Sequence, residues 1–298
     1  MEKLPKDLNV YQTSKCNFNC TFCNRVVNGY INTPDMSPYL LERILKKFPI
    51  SSCCIAGFGE PLMSQGVFDV VKTLNIHKIV PSIITNGSLV KNRFSEILDV
   101  QLLYVSVSLN TGLKERHKSI TGSESIEDVI KGIRMLVELK RFPVMVSMVV
   151  LKDNYMEIPL FLEVAESLGV TNALLINSLP YNSKSAKGII TENEVEIIRA
   201  IDKFREDFNG NVNVSRMRYL KSSVDHCCDS PWNVIGVNGN GNVTGCRRVH
   251  GPNIENGNIE DKGVWENEYF SQLRFSVHGE GNFSWHCDRC FGNVDNRR

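Results

Sequence analysis

The sequence predicts an α/β fold on a parallel sheet, followed by a small C-terminal β-hairpin-plus-helix extension. Three observations carry this expectation. From residue 8 to about 208, apolar runs of strand length alternate with stretches of helical periodicity. Strands that alternate with helices imply right-handed βα units and parallel pairing. After residue 210 the alternation stops, and glycine and asparagine punctuate residues 236–258 in the manner of tight turns.

The strand candidates are residues 8–13, 52–56, 79–85, 102–108, 144–151 and 172–176. Helical stretches lie near 37–48, 66–76, 91–99, 125–140, 155–168 and 191–208. Several start at capping residues: Ser37 before Pro38, Ser125 with Asp128, and Thr191 with Glu194. Past 210, residues 211–215 read as a short strand, 234–237 and 242–244 as a hairpin around Gly239-Asn240-Gly241, and 264–277 as a helix. The chain therefore divides into 1–210 and 211–298. The second part is too small to have much core of its own and needs a staple. Periodicity alone leaves open whether the main sheet closes into a barrel.

At 298 residues the chain can bury a substantial core. A formal net charge of +1 argues against a dominant nucleic-acid footprint, which shows as a basic excess. No apolar run approaches the ~20 residues that span a bilayer, and the N-terminus lacks the apolar core of a signal peptide. A cytoplasmic location with no membrane partner is expected. The ten cysteines then read as metal ligands or catalytic thiols and not as disulfides. They fall in three groups: 16–23, 53 and 54, and 227–290.

Cys16, Cys20 and Cys23 form CxxxCxxC directly after the first strand. Thiolates suit iron-sulfur clusters and zinc, and a four-iron cluster normally takes four of them, so three leave one iron open. A zinc knuckle or buried thiols is the plainer reading of this spacing. Cys53 and Cys54 read as core, because buried free cysteine behaves as a small hydrophobe. Cys228, Cys246, Cys287 and Cys290 pair two distant single cysteines with a CxxC, which fits structural zinc or an iron-sulfur cluster.

CxxxCxxC with Phe22 just before its last cysteine resembles the signature of the radical S-adenosylmethionine (SAM) enzymes. The resemblance implies a partial (β/α)6 TIM-like barrel with chemistry at the carboxyl ends of its strands. It also implies a [4Fe-4S] cluster whose open iron chelates SAM, and an electron that cleaves SAM to a 5'-deoxyadenosyl radical. Gly57-Phe58-Gly59-Glu60-Pro61 is similar to the family's GGEP motif, with Phe58 in place of a glycine. Gly59 lets backbone approach a ligand closely, and Glu60 can accept from the ammonium of SAM. Asn86-Gly87 resembles the family's TNG, and Ser106, Ser108 and Asn110 end the fourth strand where the family places a polar residue on SAM. Ser147 joins them by alternation on the fifth strand. The family pattern H-x-x-x-R-G meets His117 and Gly122 but has Thr121 in place of the arginine, so Lys118 or Arg116 would have to substitute as the carboxylate clamp.

Residues 227–290 resemble the SPASM extension in its short, twitch form, which implies one auxiliary [4Fe-4S] cluster held by Cys228, Cys246, Cys287 and Cys290. Cys227 reads as a ligand in a shifted register, an inert thiol or a hydrogen-atom donor. Substrate candidates are Asn177, Tyr181, Asn182, Arg216, Arg218, Asp225 and His226, with the loop 177–188 as a variable wall. The barrel is expected to begin within the first ten residues, so an N-terminal leader-binding domain is not expected, which counts mildly against a peptide substrate; some peptide-modifying relatives lack one too. The function so implied is hydrogen abstraction from a peptide or aminosugar-type natural-product substrate, ending in dehydrogenation or epimerisation. A flavodoxin or ferredoxin would supply electrons. A zinc-stabilised binding module without catalysis is the alternative.

Overall fold

The structure is a computed structural model and describes residues 3–27, 29, 32–179, 187–219, 228–246 and 256–277. Its described residues form two compact units. One takes residues from Met1–Lys15, Ile31–Pro81 and Lys221–Arg298, and the other from Cys16–Tyr30 and Ser82–Leu220.

In the first unit, β1 (Asp7–Tyr11) pairs in parallel with β2 (Ser52–Ala56) on one side and with β8 (Val234–Asn238) on the other. β8 then turns back onto β9 (Val243–Thr244) in an antiparallel hairpin. α2 (Pro38–Lys47) and α3 (Val67–Ile76) pack on each other beside this array. Leu8, Val10, Cys53 and Ile55 form the buried face of β1 and β2, as strand alternation requires. Asn9 and Cys54 are register partners on the opposite face, and Tyr11 is two residues on from Asn9. The core reading thus holds for Cys53, whereas Cys54 is only partly buried and shares a face with Tyr11.

The extension's hairpin appears where expected, and its source of core is now visible. β8 adds to β1, and Trp265 is buried against Phe48 after α2 and Phe270, with its indole N–H donating to the Lys3 carbonyl at 3.0 Å. The helix expected over 264–277 is split. A single 3-10 turn, Val264–Glu266, is followed by an α-helix over Glu268–Val277. Asn267 between them is extended and accepts the Phe270 N–H on its side chain, the local bonding that makes asparagine a helix cap.

The second unit is a parallel array in the order β7 (Asn213–Val214), β6 (Asn172–Asn177), β5 (Val144–Val150), β4 (Val105–Ser108), β3 (Ser82–Thr85). Its helices are α1 (Asn24–Val27), α4 (Phe94–Leu98), α5 (Lys114–Thr121), α6 (Ile126–Leu139), α7 (Ile158–Ser167) and α8 (Val195–Glu206). Neither array closes on itself among the described residues. The expected α/β class with a parallel sheet is observed, with the sheet unclosed.

Two expected caps are corrected. Ser37 does cap α2, accepting the Leu40 N–H at 3.2 Å ahead of Pro38. Ser125 makes no cap bond because its hydroxyl pairs with Ser123 at 2.8 Å. Thr191 bonds Glu194 as expected, but the helix begins only at Val195, so the pair closes the turn before α8. α5 was not expected. Its sequence, KERHKSIT, is polar on most faces and shows no apolar stripe. It ends on Gly122 at φ +68°, a left-handed cap that glycine takes without strain.

Candidate active site

The cysteine loop belongs to the second unit, and its backbone is tied down on three sides. Asn19 and Thr21 donate their N–H groups to the carbonyls of Thr121 (2.8 Å) and Ile120 (2.9 Å), the free acceptors at the end of α5. Cys23 N–H donates to the Cys20 carbonyl at 3.0 Å, and the Cys23 carbonyl in turn starts α1. Phe18 is buried, its N–H points at Cys16 Sγ (3.4 Å), and the Arg25 guanidinium donates to its carbonyl.

The third anchor is a ring of side chains. Asn86 Nδ2 donates to Asn17 Oδ1 (2.9 Å), Asn17 Nδ2 donates to Ser88 Oγ (2.9 Å), and Asn86 Oδ1 accepts from Ser88 N (3.0 Å) and Oγ (2.7 Å). Asn86, expected to hold a ligand, thus positions the loop. Asn86→Ala removes the three bonds that Asn86 makes to Asn17 and Ser88 and takes the acceptor from the N–H and hydroxyl of the buried Ser88, so it is expected to lower stability by about 1–3 kcal/mol in denaturant titration. The same variant should load iron less completely than the wild type under identical reconstitution.

His117 sits beneath this loop. Its ring meets Phe18 edge-on at 5.5 Å and 83°, it is fully buried, and neither ring nitrogen has a hydrogen-bond partner among the described residues. Burial holds its pKa below the ordinary value. The unfolded chain therefore binds a proton that the folded chain refuses. This contribution to stability is complete above the unfolded pKa of about 6.5 and is lost as pH falls below it toward the folded value. His117→Phe is expected to flatten that slope in thermal melts taken between pH 7.5 and 5, and to be neutral or stabilising at low pH.

The thiols of Cys16, Cys20 and Cys23 are each partly exposed. The Cys20 thiol is pushed up to about 12, first by burial and then by the neighbouring Cys23 and Cys16, with Arg25 opposing. The three groups are thus close enough to repel as thiolates. No three His, Cys, Asp or Glu side chains among the described residues converge on a point where a metal ion would sit. Phe22 beside them is half-buried.

In the first unit, the strand β2 ends in Gly57-Phe58-Gly59-Glu60-Pro61. Gly57 takes φ +132° and lies against Tyr11, whose ring is 5.5 Å from that of Phe58. A Cβ on Gly59 would stand 2.2 Å from the Lys15 carbonyl oxygen and 2.5 Å from that of Thr13. The close approach expected toward a ligand is here made to the chain's own backbone, one residue before Cys16. Glu60 is buried, donates its N–H to Lys15 O at 2.8 Å, and accepts the Leu62 N–H on Oε1 at 3.0 Å.

The polar residues of the second unit do come together. Ser108 and Ser147 are register partners, and Ser106 and Ile84 share their face. Asn110 takes φ +63°, an uncommon conformation for a residue other than glycine. Its N–H donates to Ser147 O (3.0 Å) and its Oδ1 accepts from Val149 N (3.0 Å), so β4 and β5 are locked at their carboxyl ends.

Other expected roles fare differently. Arg116 pairs with Glu157 (2.8 Å) and Asp153 (3.3 Å), and Lys118 with Glu124, so both proposed carboxylate clamps are engaged elsewhere. Asn177 is buried and spends its amide on the backbone of Ile190 and Arg218. Arg216 and Arg218 are exposed. Cys228 and Cys246 are partly buried in the first unit. Cys227, Cys287, Cys290, Tyr181, Asn182, Asp225 and His226 lie outside the described residues. Sequence reasoning missed Asn17 and Ser88, and it met His117 and Thr121 only within the H-x-x-x-R-G pattern and not as groups that act on the loop; Asn17, inside the cysteine motif, was the visible signal for the ring.

The family model of the radical SAM superfamily matches residues 10–165. The chain belongs to the radical SAM superfamily. A probable GTP 3',8-cyclase of Methanocaldococcus jannaschii is 30% identical over 168 residues, which cover 55% of this chain and 56% of that protein. The chain thus spans little more than half the length of that curated relative. Among solved structures, native anSMEcpe with bound AdoMet superposes with TM-score 0.72 at 19% identity, covering 92% of this chain and 84% of that one. Streptococcus suis SuiB bound to precursor peptide SuiA gives TM-score 0.70 at 17% identity over 91% and 67%. These likenesses show the shared fold, an unclosed parallel sheet of the partial TIM-like kind that the family resemblance implies.

Membership of the radical SAM superfamily implies SAM and a [4Fe-4S] cluster, and the cysteine loop suits that donor set. Three soft thiols stand on one anchored loop, and after burial the charges of Cys23 and Cys16 are what oppose ionisation of Cys20. Bound metal deprotonates a coordinating thiol outright, which removes that opposition. Cys16, Cys20 and Cys23 are the residues that would hold the cluster.

Proposed function

We propose that this radical SAM chain cleaves SAM reductively and abstracts a hydrogen atom from an uncharged position of a peptide or aminosugar-type substrate, giving oxidation or epimerisation. The cluster and SAM, when bound, supply the electron and the 5'-deoxyadenosyl radical. The observation that carries the reading is the loop of three neighbouring thiols, fixed by α5 and by the Asn17-Asn86-Ser88 ring.

In this reading Cys16, Cys20 and Cys23 are the cluster ligands. Phe22, Gly57, Gly59, Glu60, Asn86, Ser108, Asn110 and Ser147 are the residues assigned to SAM, with Asn86 acting through the loop it positions and Gly59 through the backbone of Thr13 and Lys15. Residues 1–210 form the catalytic part. Residues 211–298 carry a second cluster on Cys228, Cys246, Cys287 and Cys290, with Cys227 as a hydrogen-atom donor if the product is an epimer. A flavodoxin or ferredoxin reduces the chain.

The substrate class rests on charge. On β3 to β6, the face shared by Ser106, Ser108 and Ser147 also holds Ile84, Met145, Asn172, Val149, Leu174 and Ile176, with no lysine or arginine. A triphosphate is gripped by cations, so this face suits an uncharged group better than GTP. The likeness to SuiB, solved with its precursor peptide, supports the peptide side of the proposal.

The test is isotopic. Candidate peptides and aminosugars are incubated anaerobically with SAM and reductant in deuterated water, with GTP as a parallel substrate. A product two hydrogens lighter with one SAM consumed identifies oxidation, and an isomer carrying one solvent deuterium identifies epimerisation. Conversion of GTP alone would overturn the substrate class.

A further inference from the structure

Cys246 ends the segment Thr244-Gly245-Cys246 that leaves β9, and two phenols grip this segment. The Tyr269 hydroxyl pairs with Thr244 Oγ1 at 2.9 Å and accepts the Gly245 N–H at 3.4 Å. The Tyr11 hydroxyl donates to the Cys246 carbonyl at 3.5 Å, across 235 residues of sequence. Both contacts lie within the first unit.

The surroundings are shaped for these rings. Gly236 faces Tyr11, and a Cβ there would stand 2.7 Å from Tyr11 Cε2 and 2.9 Å from its hydroxyl. A Cβ on Gly245 would meet Phe270 Cε1 and Leu273 Cδ2 at 2.8 Å. Tyr269 is backed edge-on by Phe270 (5.1 Å, 83°), which packs on the buried Trp265 at 4.5 Å. Gly236 therefore admits the Tyr11 ring, and Gly245 admits Phe270, the ring that backs Tyr269.

We propose that Tyr11 and Tyr269 are positioning residues for Cys246 as a metal ligand, and that the Tyr11 hydroxyl helps set the reduction potential of the cluster Cys246 holds. This rests on the reading of Cys246 as an auxiliary-cluster ligand. Contacts just outside a metal's ligands orient them, and losing one typically costs 10–100-fold in affinity. Hydrogen bonds and exposure around a cluster also move its potential.

The experiment uses the full chain carrying Cys16→Ala, Cys20→Ala and Cys23→Ala, so that only the second cluster remains. After anaerobic reconstitution, iron and sulfide content, the rate of iron loss to EDTA, and the midpoint potential by EPR are measured with and without Tyr11→Phe or Tyr269→Phe. The phenylalanines keep the rings and remove only the hydroxyls. About 10-fold faster iron loss in each, with a shifted midpoint in Tyr11→Phe, is the expected result. Circular dichroism melts identify a variant that fails to fold, and the other variant then carries the comparison alone. Iron loss and potential unchanged in both variants would overturn the inference. Absence of iron from the cysteine-triple parent itself would overturn the second-cluster reading beneath it, before any tyrosine is touched.

Discussion

Cys20→Ala is expected to reduce reductive SAM cleavage to background and to remove about four irons per chain, the content of one cluster. The Cys20 thiol is pushed up to about 12, first by burial and then by Cys23 and Cys16. Two remaining thiols do not make the three-point attachment that leaves a single iron open. The chain should still fold, because the loop is held by backbone bonds from Asn19 and Thr21 to the end of α5, and these do not involve the thiol. Iron analysis, 5'-deoxyadenosine quantified by chromatography, and a far-UV spectrum check all three parts of the expectation.

Gly59→Ala is expected to have the next largest effect, although the residue makes no side-chain contact. Its new Cβ would collide with the backbone oxygens of Lys15 and Thr13 and lie 2.9 Å from Lys15 N. Backbone cannot swing aside as a flexible side chain can, so the overpacking should cost about 1–3 kcal/mol. Breaking the bond from Glu60 N–H to Lys15 O adds about 1 kcal/mol. Together these lower the melting temperature by roughly 5–10 °C. Because Lys15 adjoins Cys16, iron loading should fall as well. Gly188→Ala is the control: its Cβ would meet only Leu151 Cδ2, at an ordinary 3.8 Å. That change should stay within about 0.5 kcal/mol.

Strands were legible in the sequence because their apolar residues repeat at the period of the sheet. β2 occupies Ser52–Ala56 as expected, and β5 ends one residue short of the expected limit, at Val150. α5 was not legible, since a helix that buries only His117, Ile120 and Thr121 among polar neighbours leaves no stripe to read. The break at Asn267 was hidden for another reason. Its neighbours are good helix formers, and only the bond from Phe270 N–H to its side chain decides for a cap. The addition of β8 to β1 is a long-range pairing that no local pattern encodes.

At the site, the candidate ligands were legible and their supports were not. Three thiols at fixed spacing stand out by residue type alone, because few other side chains are soft ligands. The glycine of the Gly-Glu-Pro turn was recognised as a place of close approach, yet its neighbour turned out to be the backbone of Thr13 and Lys15. Asn86 was picked out as polar at a strand end, and what it touches is Asn17 of the cysteine loop. A residue's capacity for hydrogen bonding can be read from its type, whereas its partner is fixed only by the fold.

The most direct test is to purify and reconstitute the chain without oxygen, reduce it, add SAM, and measure iron, labile sulfide, zinc and 5'-deoxyadenosine in one preparation. Iron and sulfide in equal amounts, at four per chain or more, with 5'-deoxyadenosine formed at the expense of SAM and lost in Cys20→Ala, is the predicted result. Zinc without labile sulfide, and SAM left intact, would contradict the account.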